Sequence, residues 1–337
     1  MADTRSERIL LAHGGGGILM KELVAIIIGK LGGAGGALQD SATLPLEAGR
    51  IAFTTDSYVV NPLFFPGGDI GRLAVCGTVN DLAMSGAQPL WLSLAFIIEE
   101  GLPFEVFERI LDSVAAAARE ASVGIVTGDT KVVERGHADG LFINTSGIGV
   151  IPHGVEVSSA LAREGDAVLL NGGIGEHGLT ILSRREGIDF GSNLVSDIAP
   201  LANLTVPLLS RVRGVRGMRD ATRGGLAAIL NEIAADSKVC IRLDEEAIPV
   251  CGAVRTACEL MGYDPLHIAN EGKFVAVVAP EDADEALSFM QAHPLGRGAA
   301  RIGHVVASPP GVVILKTAFG GERVVDIPYG DLLPRIC

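Results

Sequence analysis

Aromatic residues, basic residues and long apolar runs are all scarce in this chain of 337 residues. Aromatic side chains make up 4% of it, and 27 Lys and Arg stand against 40 Asp and Glu, for a formal net charge of -13. A nucleic-acid surface needs clustered Lys and Arg, so this charge argues against that class of partner. No apolar run approaches the roughly 20 residues that span a bilayer, and the acidic N-terminus lacks the apolar core of a secretory signal. We therefore expect a soluble, cytoplasmic protein with no nucleic-acid and no membrane partner.

Cysteine occurs five times, without the spacing of a known metal or redox motif. There is no C-x-x-C pair and no His at zinc-finger spacing, so we expect reduced and mostly buried thiols. One cysteine, Cys337, is the last residue of the sequence. A thiol at a free chain end can enter a pocket, react there and leave again, whereas the plain interpretation is an accident of a frayed terminus.

Glycine is the residue in excess, with 44 positions, about twice the usual share of roughly 7%. Two glycine clusters, at 14–17 and 32–36, flank an apolar helix predicted from about Leu19 to Leu31. A mobile lid and a disordered linker both fit this pattern.

The order of predicted elements indicates a mixed α/β fold in two domains. Strands such as 50–55 and 140–150 alternate with helices such as 104–121, and after Pro152 a second unit alternates again. We divide the chain into a glycine-rich segment 1–42, a first domain 43–153, a second domain 154–310 and a C-terminal segment 311–337 that ends in a flexible tail.

Three Asp residues of the first domain follow strands at predicted turns, where phosphate and metal ligands often lie. They are Asp56, Asp81 and Asp129, the last of them followed by Thr130 and Lys131. Mg²⁺ prefers carboxylate oxygens together with water and nucleotide phosphates, so these residues are candidate metal ligands and ATP-binding residues. Each Asp alone is more typical of a helix cap or a turn than of a ligand, and the three together with Thr130 and Lys131 favour a phosphate site. Asn80, next to Asp81, is a further candidate phosphate contact.

One nucleotide motif is absent from the sequence, and a second is disfavoured. No Walker A loop is present, because neither Gly-Lys pair of the chain is followed by Ser or Thr. The run 173–178 matches G-x-G-x-x-G after a strand, but the second strand ending in an acidic residue about 20 positions later is missing.

Two more runs are candidates for chemistry. Residues 218–226, Met-Arg-Asp-Ala-Thr-Arg-Gly-Gly-Leu, place polar residues at the start of a predicted helix, where an anion site and a plain helix cap are both possible. In the second run, 270–273, Glu271 stands between Asn and Gly at the entrance of a predicted strand, a position that favours a base or a ligand at a domain interface.

Taken together, the runs 55–71, 218–226, 270–273 and the ending Pro-Arg-Ile-Cys resemble the HypE family of carbamoyl dehydratases over essentially the whole chain. The first and last runs are specific to that family. The other motifs are shared with aminoimidazole ribonucleotide synthetase and selenophosphate synthetase. The resemblance implies two mixed α/β domains of this synthetase (PurM-like) type, a homodimer formed through the first domains, and bound ATP and Mg²⁺.

The resemblance also implies a reaction on Cys337. A HypF-type carbamoyltransferase loads its thiol as a thiocarboxamide, which is dehydrated with ATP to a thiocyanate. The cyano group then passes to iron on a HypC–HypD-type scaffold for nickel–iron hydrogenase. Glu271 is the implied base, Lys131 the residue that orients the thiocarboxamide, and His13 with its glycines a cover for the nucleotide.

Two other functions remain open at this point. One is an ATP-dependent kinase or ligase that acts on a free small molecule and leaves Cys337 idle. The other is a non-catalytic carrier that presents its tail to a partner, against which the three Asp residues argue.

Overall fold

The computed structural model describes residues 8–10, 13, 18–31, 50–188 and 194–327. Cys337, the two glycine clusters and the chain after Ile327 lie outside the described residues. Within the described ranges no helix is long and apolar enough to cross a membrane.

The first half of the chain forms one four-stranded sheet with helices on one of its faces. The strand order is β1-β6-β4-β5, with β4 and β5 parallel and the other pairs antiparallel. A two-stranded hairpin, β2 and β3, leads into helix α2. The elements are α1 (Ile18–Leu31), β1 (Arg50–Tyr58), β2 (Phe64–Phe65), β3 (Gly68–Asp69), α2 (Ile70–Met84), β4 (Gln88–Glu99), α3 (Phe104–Glu120), β5 (Gly124–Val133) and β6 (Leu141–Ile151).

Alternate residues of these strands have opposite surroundings. Along β6, buried and half-buried residues alternate, as expected for a sheet covered on one side. The inner face packs on α2, which also contacts α3. The outer face has no helix of the described chain against it and leaves Ile51, Phe53 and Ile97 exposed, Phe53 to 68%.

The second half forms a seven-stranded sheet in the order β13-β12-β9-β11-β7-β10-β8, with helices on both faces. The elements are β7 (Ala167–Leu170), α4 (Glu176–Glu186), α5 (Ala202–Arg211), β8 (Val215–Asp220), α6 (Gly225–Ser237), β9 (Cys240–Asp244), α7 (Gly252–Met261), β10 (Phe274–Val278), α8 (Ala283–Ala292), β11 (Ala300–Val306), β12 (Val312–Lys316) and β13 (Glu322–Val324). Its central strands β7 and β10 are buried at every residue.

Both faces of this second sheet carry core. Val168, Leu170 and Val275 pack with α6 on one side, whereas Leu169 and Ala276 on the other belong to a core that continues into the first half. The continuous apolar runs of β7 and β10 are typical of strands covered on both faces. Mixed α/β architecture is thus confirmed for both halves.

Helix α2 joins the halves through a buried asparagine. Asn80 is 1% exposed, and its Nδ2 donates hydrogen bonds to the carbonyl oxygens of Ala199, at 3.1 Å, and Glu271, at 3.2 Å. Its Oδ1 accepts a hydrogen bond of 2.7 Å from the backbone N–H of Leu201. One side chain therefore satisfies three buried backbone groups of the other half.

We expect Asn80→Ala to lower the free energy of unfolding by about 3 kcal/mol, because each buried polar group left unpaired costs roughly 1–3 kcal/mol. Urea denaturation of the purified protein measures this. Asn203→Ala is the matched control, since Asn203 Nδ2 makes only an exposed hydrogen bond to the Glu120 carbonyl, and it should change stability by less than about 0.5 kcal/mol. Equal losses in the two variants would contradict the joining role of Asn80.

Candidate functional site

Four carboxylates from both halves of the chain converge where α2 meets the second sheet. Asp56 lies on β1 and Asp81 on α2. Asp220 ends β8, and Glu271 precedes β10. Helix α2 contacts both β1 and β8, so their negative charges act on one another.

Hydroxyl groups of the first half hold two of these carboxylates. The Oη of Tyr58 donates a hydrogen bond of 3.1 Å to Oδ2 of Asp56, and Oγ1 of Thr54 donates one of 2.8 Å to Oδ2 of Asp81. Tyr58 is buried and lies 3.3 Å from the Thr78 hydroxyl. These uncharged donors fix the two carboxylates and leave their charges uncompensated.

The pKa values of three carboxylates, Asp81, Asp220 and Glu271, are raised. Burial, and then the charge of Asp56, raises the pKa of Asp81 to about 6. Burial, and then the charge of Asp81, raises the pKa of Asp220 to about 7. Burial followed by repulsion from Asp220 raises the pKa of Glu271 well above its ordinary value. A bound cation would stabilise this cluster, because it would offset the repulsion between the carboxylates.

Glu271 is 4% exposed and sits in a loop that a second carboxylate holds in place. Oδ1 of Asp197 accepts a 3.2 Å hydrogen bond from the Glu271 backbone N–H, and Oδ2 accepts one of 3.1 Å from Gly272. Nζ of Lys273 lies 3.3 Å from Asp197 Oδ2 and 3.6 Å from Glu176 Oε2. Unlike the Glu271 carboxylate, the buried carboxylate of Asp197 is thus neutralised.

Gly272 is required by a close approach. A Cβ at this position would lie 1.9 Å from the backbone oxygen of Asp197, far inside van der Waals contact. The glycine between Glu271 and Lys273 therefore lets the two loops pass each other and sets the position of Glu271.

Asp129 and Lys131 lie on the opposite face of the first sheet. Asp129 pairs across the sheet with Ala95, which pairs with Asn144, whereas Asp56 pairs with Thr145 on the inner face. Both side chains are exposed, and Nζ of Lys131 donates a 3.0 Å hydrogen bond to Asp129 Oδ1. Three strand spacings, about 14 Å, separate β5 from β1. Within one chain, the expected convergence of Asp129 with Asp56 and Asp81 is therefore wrong.

The remaining predicted nucleotide contacts have packed surroundings. Thr130 is buried on the inner face of the sheet, and all polar atoms of the Asn80 side chain are bonded to backbone, which supports a joining role rather than a phosphate contact. His13 is buried, accepts a 3.0 Å hydrogen bond at Nδ1 from the Leu10 N–H, and packs edge-on against Phe104, with ring centroids 5.2 Å apart.

Helix α6 begins five residues after Asp220, the last residue of β8, and the N–H of its first residue, Gly225, donates a 2.9 Å hydrogen bond to the Thr222 carbonyl. Its N-cap, Gly224, has φ of 75° and provides no side-chain cap, so the first N–H groups of the helix are free of a side-chain acceptor. Arg219 lies beside it with a buried Nε that has no hydrogen-bond partner, and its charge lowers the pKa of Asp81 and Asp220. This arrangement suits an anion, and it favours the anion-site interpretation of residues 218–226.

The G-x-G-x-x-G run has a structural explanation. Gly175, with φ of 89°, begins α4, and its N–H donates a 2.7 Å hydrogen bond to Oδ1 of Asn270. Nδ2 of Asn270 donates to the carbonyls of Ala221, at 2.9 Å, and Ile268, at 3.0 Å. The run thus packs against the loop that carries Glu271.

The described chain ends close to that same loop. The carbonyl oxygen of Asp326 lies 3.1 Å from Nε2 of His267, and Arg323 forms an ion pair with Asp264. The Val325 carbonyl also accepts a 2.8 Å hydrogen bond from Asn231. The C-terminal segment is therefore fixed beside residues 264–271 at the point where the last ten residues begin.

A divalent cation suits this donor set, although the described residues contain no group of three His, Cys, Asp or Glu side chains arranged to enclose an ion. Mg²⁺ commonly takes only one or two carboxylates and completes its shell with water and phosphate oxygens. Asp56, Asp81 and Asp220 supply hard carboxylate oxygens whose mutual repulsion a cation would relieve.

Sequence reasoning missed Asp220, Tyr58 and Asp197. Asp220 lies inside the run 218–226, for which the sequence predicted only a helix start with an anion site or a cap. Tyr58 follows Asp56 by two residues on the same strand face, a spacing that could have indicated contact. No local signal identified Asp197, because its partners are about 75 residues away.

Known protein families and relatives match nearly the whole chain. Residues 38–151 match the N-terminal domain of AIR synthase related proteins, and residues 163–316 match the C-terminal domain of that family. The carbamoyl dehydratase HypE of Rhizobium leguminosarum bv. viciae is 54% identical over 338 residues, which cover 99% of this chain and 97% of that protein.

Two solved structures agree. A crystal structure of hydrogenase maturation protein HypE in complex with ATP has a TM-score of 0.93 and 46% identity, over 98% of this chain and 100% of that one. HypE in a complex with HypF has a TM-score of 0.81 and 48% identity, over 93% and 100% of the two chains. The chain therefore belongs to the HypE family of carbamoyl dehydratases, proteins of hydrogenase maturation.

Proposed function

We propose that this protein uses ATP to dehydrate a carbamoyl group carried on Cys337, converting a thiocarboxamide to a thiocyanate that supplies the cyanide ligands of nickel–iron hydrogenase. The observation that carries the proposal is the anchoring of the chain end beside the Glu271 loop, through Asp326 and His267. Membership of the HypE family supports it. A cytoplasmic location remains a prediction.

The chain after Ile327 is long enough for this reaction. Cys337 is the tenth residue after Ile327, and an extended chain spans at most about 36 Å over that length. His267 is only four residues from Glu271, so the anchor point and the base lie within about 14 Å along the chain. The thiol can therefore return to the carboxylate cluster of its own chain.

The cluster and the start of α6 suit ATP with Mg²⁺. Asp56, Asp81 and Asp220 would hold the cation, and the N–H groups of α6 with Arg219 would meet phosphate oxygens. The ATP complex of a HypE with 46% identity supports this assignment. Bound Mg²⁺ would offset the charge of the transferred phosphoryl group.

The proposed reaction is an elimination in two steps, phosphorylation of the thiocarboxamide oxygen followed by loss of phosphate. The thiocarboxamide oxygen attacks the γ-phosphorus of ATP, an O–P bond forms, and ADP leaves. Loss of phosphate breaks the C–O bond while nitrogen gives up its protons, and a C≡N bond results. Glu271 accepts a nitrogen proton, and its raised pKa makes it a stronger base than an exposed Glu.

We further propose a homodimer through the outer face of the first sheet. This face exposes Ile51, Phe53 and Ile97, and apolar surface of this kind favours association. Strands β1 and β5 are the two edges of the sheet. In the proposed dimer, β5 of one copy lies beside β1 of the other. Asp129 and Lys131 of the first copy then approach Asp56 of the second, where Lys131 can orient the thiocarboxamide of its partner.

Two partners complete the proposed cycle. A HypF-type carbamoyltransferase loads Cys337, which the complex of a 48% identical HypE with HypF supports. An iron-carrying scaffold of the HypC–HypD type then accepts the cyano group.

Cys337→Ser should abolish product formation, because the serine hydroxyl is a much weaker nucleophile than a thiolate and does not receive the carbamoyl group. Intact mass, measured after incubation with carbamoyl phosphate, the carbamoyltransferase and Mg²⁺–ATP, follows the adduct and its loss of one water. Cys251→Ser, which removes an exposed thiol elsewhere, is the matched control and should react normally. Turnover by Cys337→Ser would indicate a free small-molecule substrate instead.

Glu271→Gln should bind ATP normally but dehydrate the loaded tail at least about a hundredfold more slowly, because the proton acceptor is lost. In the wild type the rate should fall as pH is lowered, with a midpoint above the ordinary value of about 4.3 for Glu, since protonation removes the base. Rapid-quench mass spectrometry of loaded protein measures both effects. Glu285→Gln, at an exposed ion pair with Arg211, is the control, and equal rates in the two variants would exclude Glu271 as the base.

Mixing Lys131→Ala with Glu271→Gln should restore activity if the site is completed across two copies. Each mixed dimer then contains one site with an intact Glu271 and an intact Lys131, so random pairing predicts roughly a quarter of the wild-type rate. Activity is measured after the two variants are unfolded and refolded together, with each variant refolded alone as the control. Absence of recovery would place both groups in the same chain's site.

A further inference from the structure

Exposed large apolar side chains concentrate in one short stretch of the second half. Within the nine residues 319–327, Phe319 is 100% exposed, Val324 53% and Ile327 57%. The exposed apolar side chains of the first sheet, such as Phe53, would be covered in the proposed dimer. The stretch 319–327 is not, and exposed aromatic and aliphatic residues in series mark interaction surfaces.

The turn that carries Phe319 is held firmly. Gly320, with φ of 84°, allows a tight reversal, and the backbone N–H of Thr317 donates a 2.8 Å hydrogen bond to the Gly321 carbonyl. The N–H of Ala318 donates a 2.8 Å hydrogen bond to Oε2 of Glu245. Phe319 therefore projects from a fixed backbone, which lowers the entropy lost when a partner covers it.

This stretch is also the root of the tail that ends in Cys337. Strands β12 and β13 form a hairpin at the edge of the second sheet, and the last ten residues follow directly. A protein that reacts with Cys337 must place its active site within about 36 Å of Ile327. A surface at the root is thus within reach of any such partner.

We propose that this hairpin, residues 312–327, is the docking surface of the carbamoyl-loading partner, with Phe319 as its anchor. The inference rests on the proposed function. Loading requires a complex in which the Cys337 sulfur attacks the carbonyl carbon of an activated carbamoyl ester, forming a C–S bond as the ester C–O bond breaks and the thiol proton leaves to solvent. The loading partner is favoured over the iron scaffold because a HypE–HypF complex is stable enough to crystallise.

The test measures loading of Cys337 against partner concentration. Full-length protein is incubated with carbamoyl phosphate, Mg²⁺–ATP and increasing HypF-type carbamoyltransferase, and intact mass gives the initial rate of adduct formation. Phe319→Ser should raise the partner concentration for half-maximal rate about tenfold or more, as expected for loss of an aromatic anchor. Phe319→Leu should restore most of it. Leu260→Ser, which removes an exposed apolar side chain on α7, is the matched control and should stay within about twofold.

A second measurement separates docking from chemistry. In the same incubations, the rate constant for loss of water from the carbamoyl adduct, taken from the intact-mass time course, should be the same for Phe319→Ser as for the wild type, because the hairpin takes no part in dehydration. A half-maximal concentration within about twofold of wild type would overturn the proposal, as would an equal shift in Leu260→Ser. So would unchanged loading with slowed cyano transfer to the scaffold, which would make the hairpin that partner's surface. Wild-type protein that is never loaded would refute the proposed function itself.

Discussion

The structure depends on bringing four carboxylates, one buried and three half-buried, together at a junction between two sheets. Asp56 and Asp81 come from the first half and Asp220 and Glu271 from the second, so each half carries one repelling pair and contact between the halves adds the repulsion between the two pairs. The junction must therefore be held by contacts that do not neutralise the cluster. Asn80 is well suited to this, because an amide provides two donors and one acceptor to backbone groups without adding charge.

Asp197, which accepts hydrogen bonds from the loop that carries Glu271, illustrates the opposite arrangement. Its side chain is only 1% exposed, and Lys273 and two backbone N–H groups compensate its charge. In the cluster, burial and neighbouring carboxylates raise the pKa of Asp81 to about 6 and that of Asp220 to about 7, although the charge of Arg219 lowers both. Between the ordinary Asp value near 4 and these values the folded protein holds more protons than the unfolded chain, and these groups' contribution to stability falls as pH rises through that window. A bound cation would remove this penalty.

Local pattern in the sequence predicted most elements but not the assembly of the site. Helix α3 and strand β10 follow directly from periodicity and apolar runs. The prediction for Asp129 was wrong because it rested on the position of each Asp after a strand and not on strand faces. Side chains alternate between the two faces of a strand, and the register places Asp129 on the face opposite Asp56. Asp220 and Asp197 depend on contacts between distant segments, which one sequence read in short windows does not encode.

The anchoring of the tail root beside the Glu271 loop has a consequence for how a substrate is held. A group tethered by ten residues is present near its site at an effective concentration in the millimolar range, with no binding pocket of its own. In the proposed cycle, the same tether must also reach the active sites of two other proteins. Cys337 cannot be in two sites at once, so the partner surface and the dehydration site must be separate while both lie within the tether's length of Ile327. The proposed docking hairpin, β12–β13, and the Glu271 loop meet that condition, because both lie near the start of the tail.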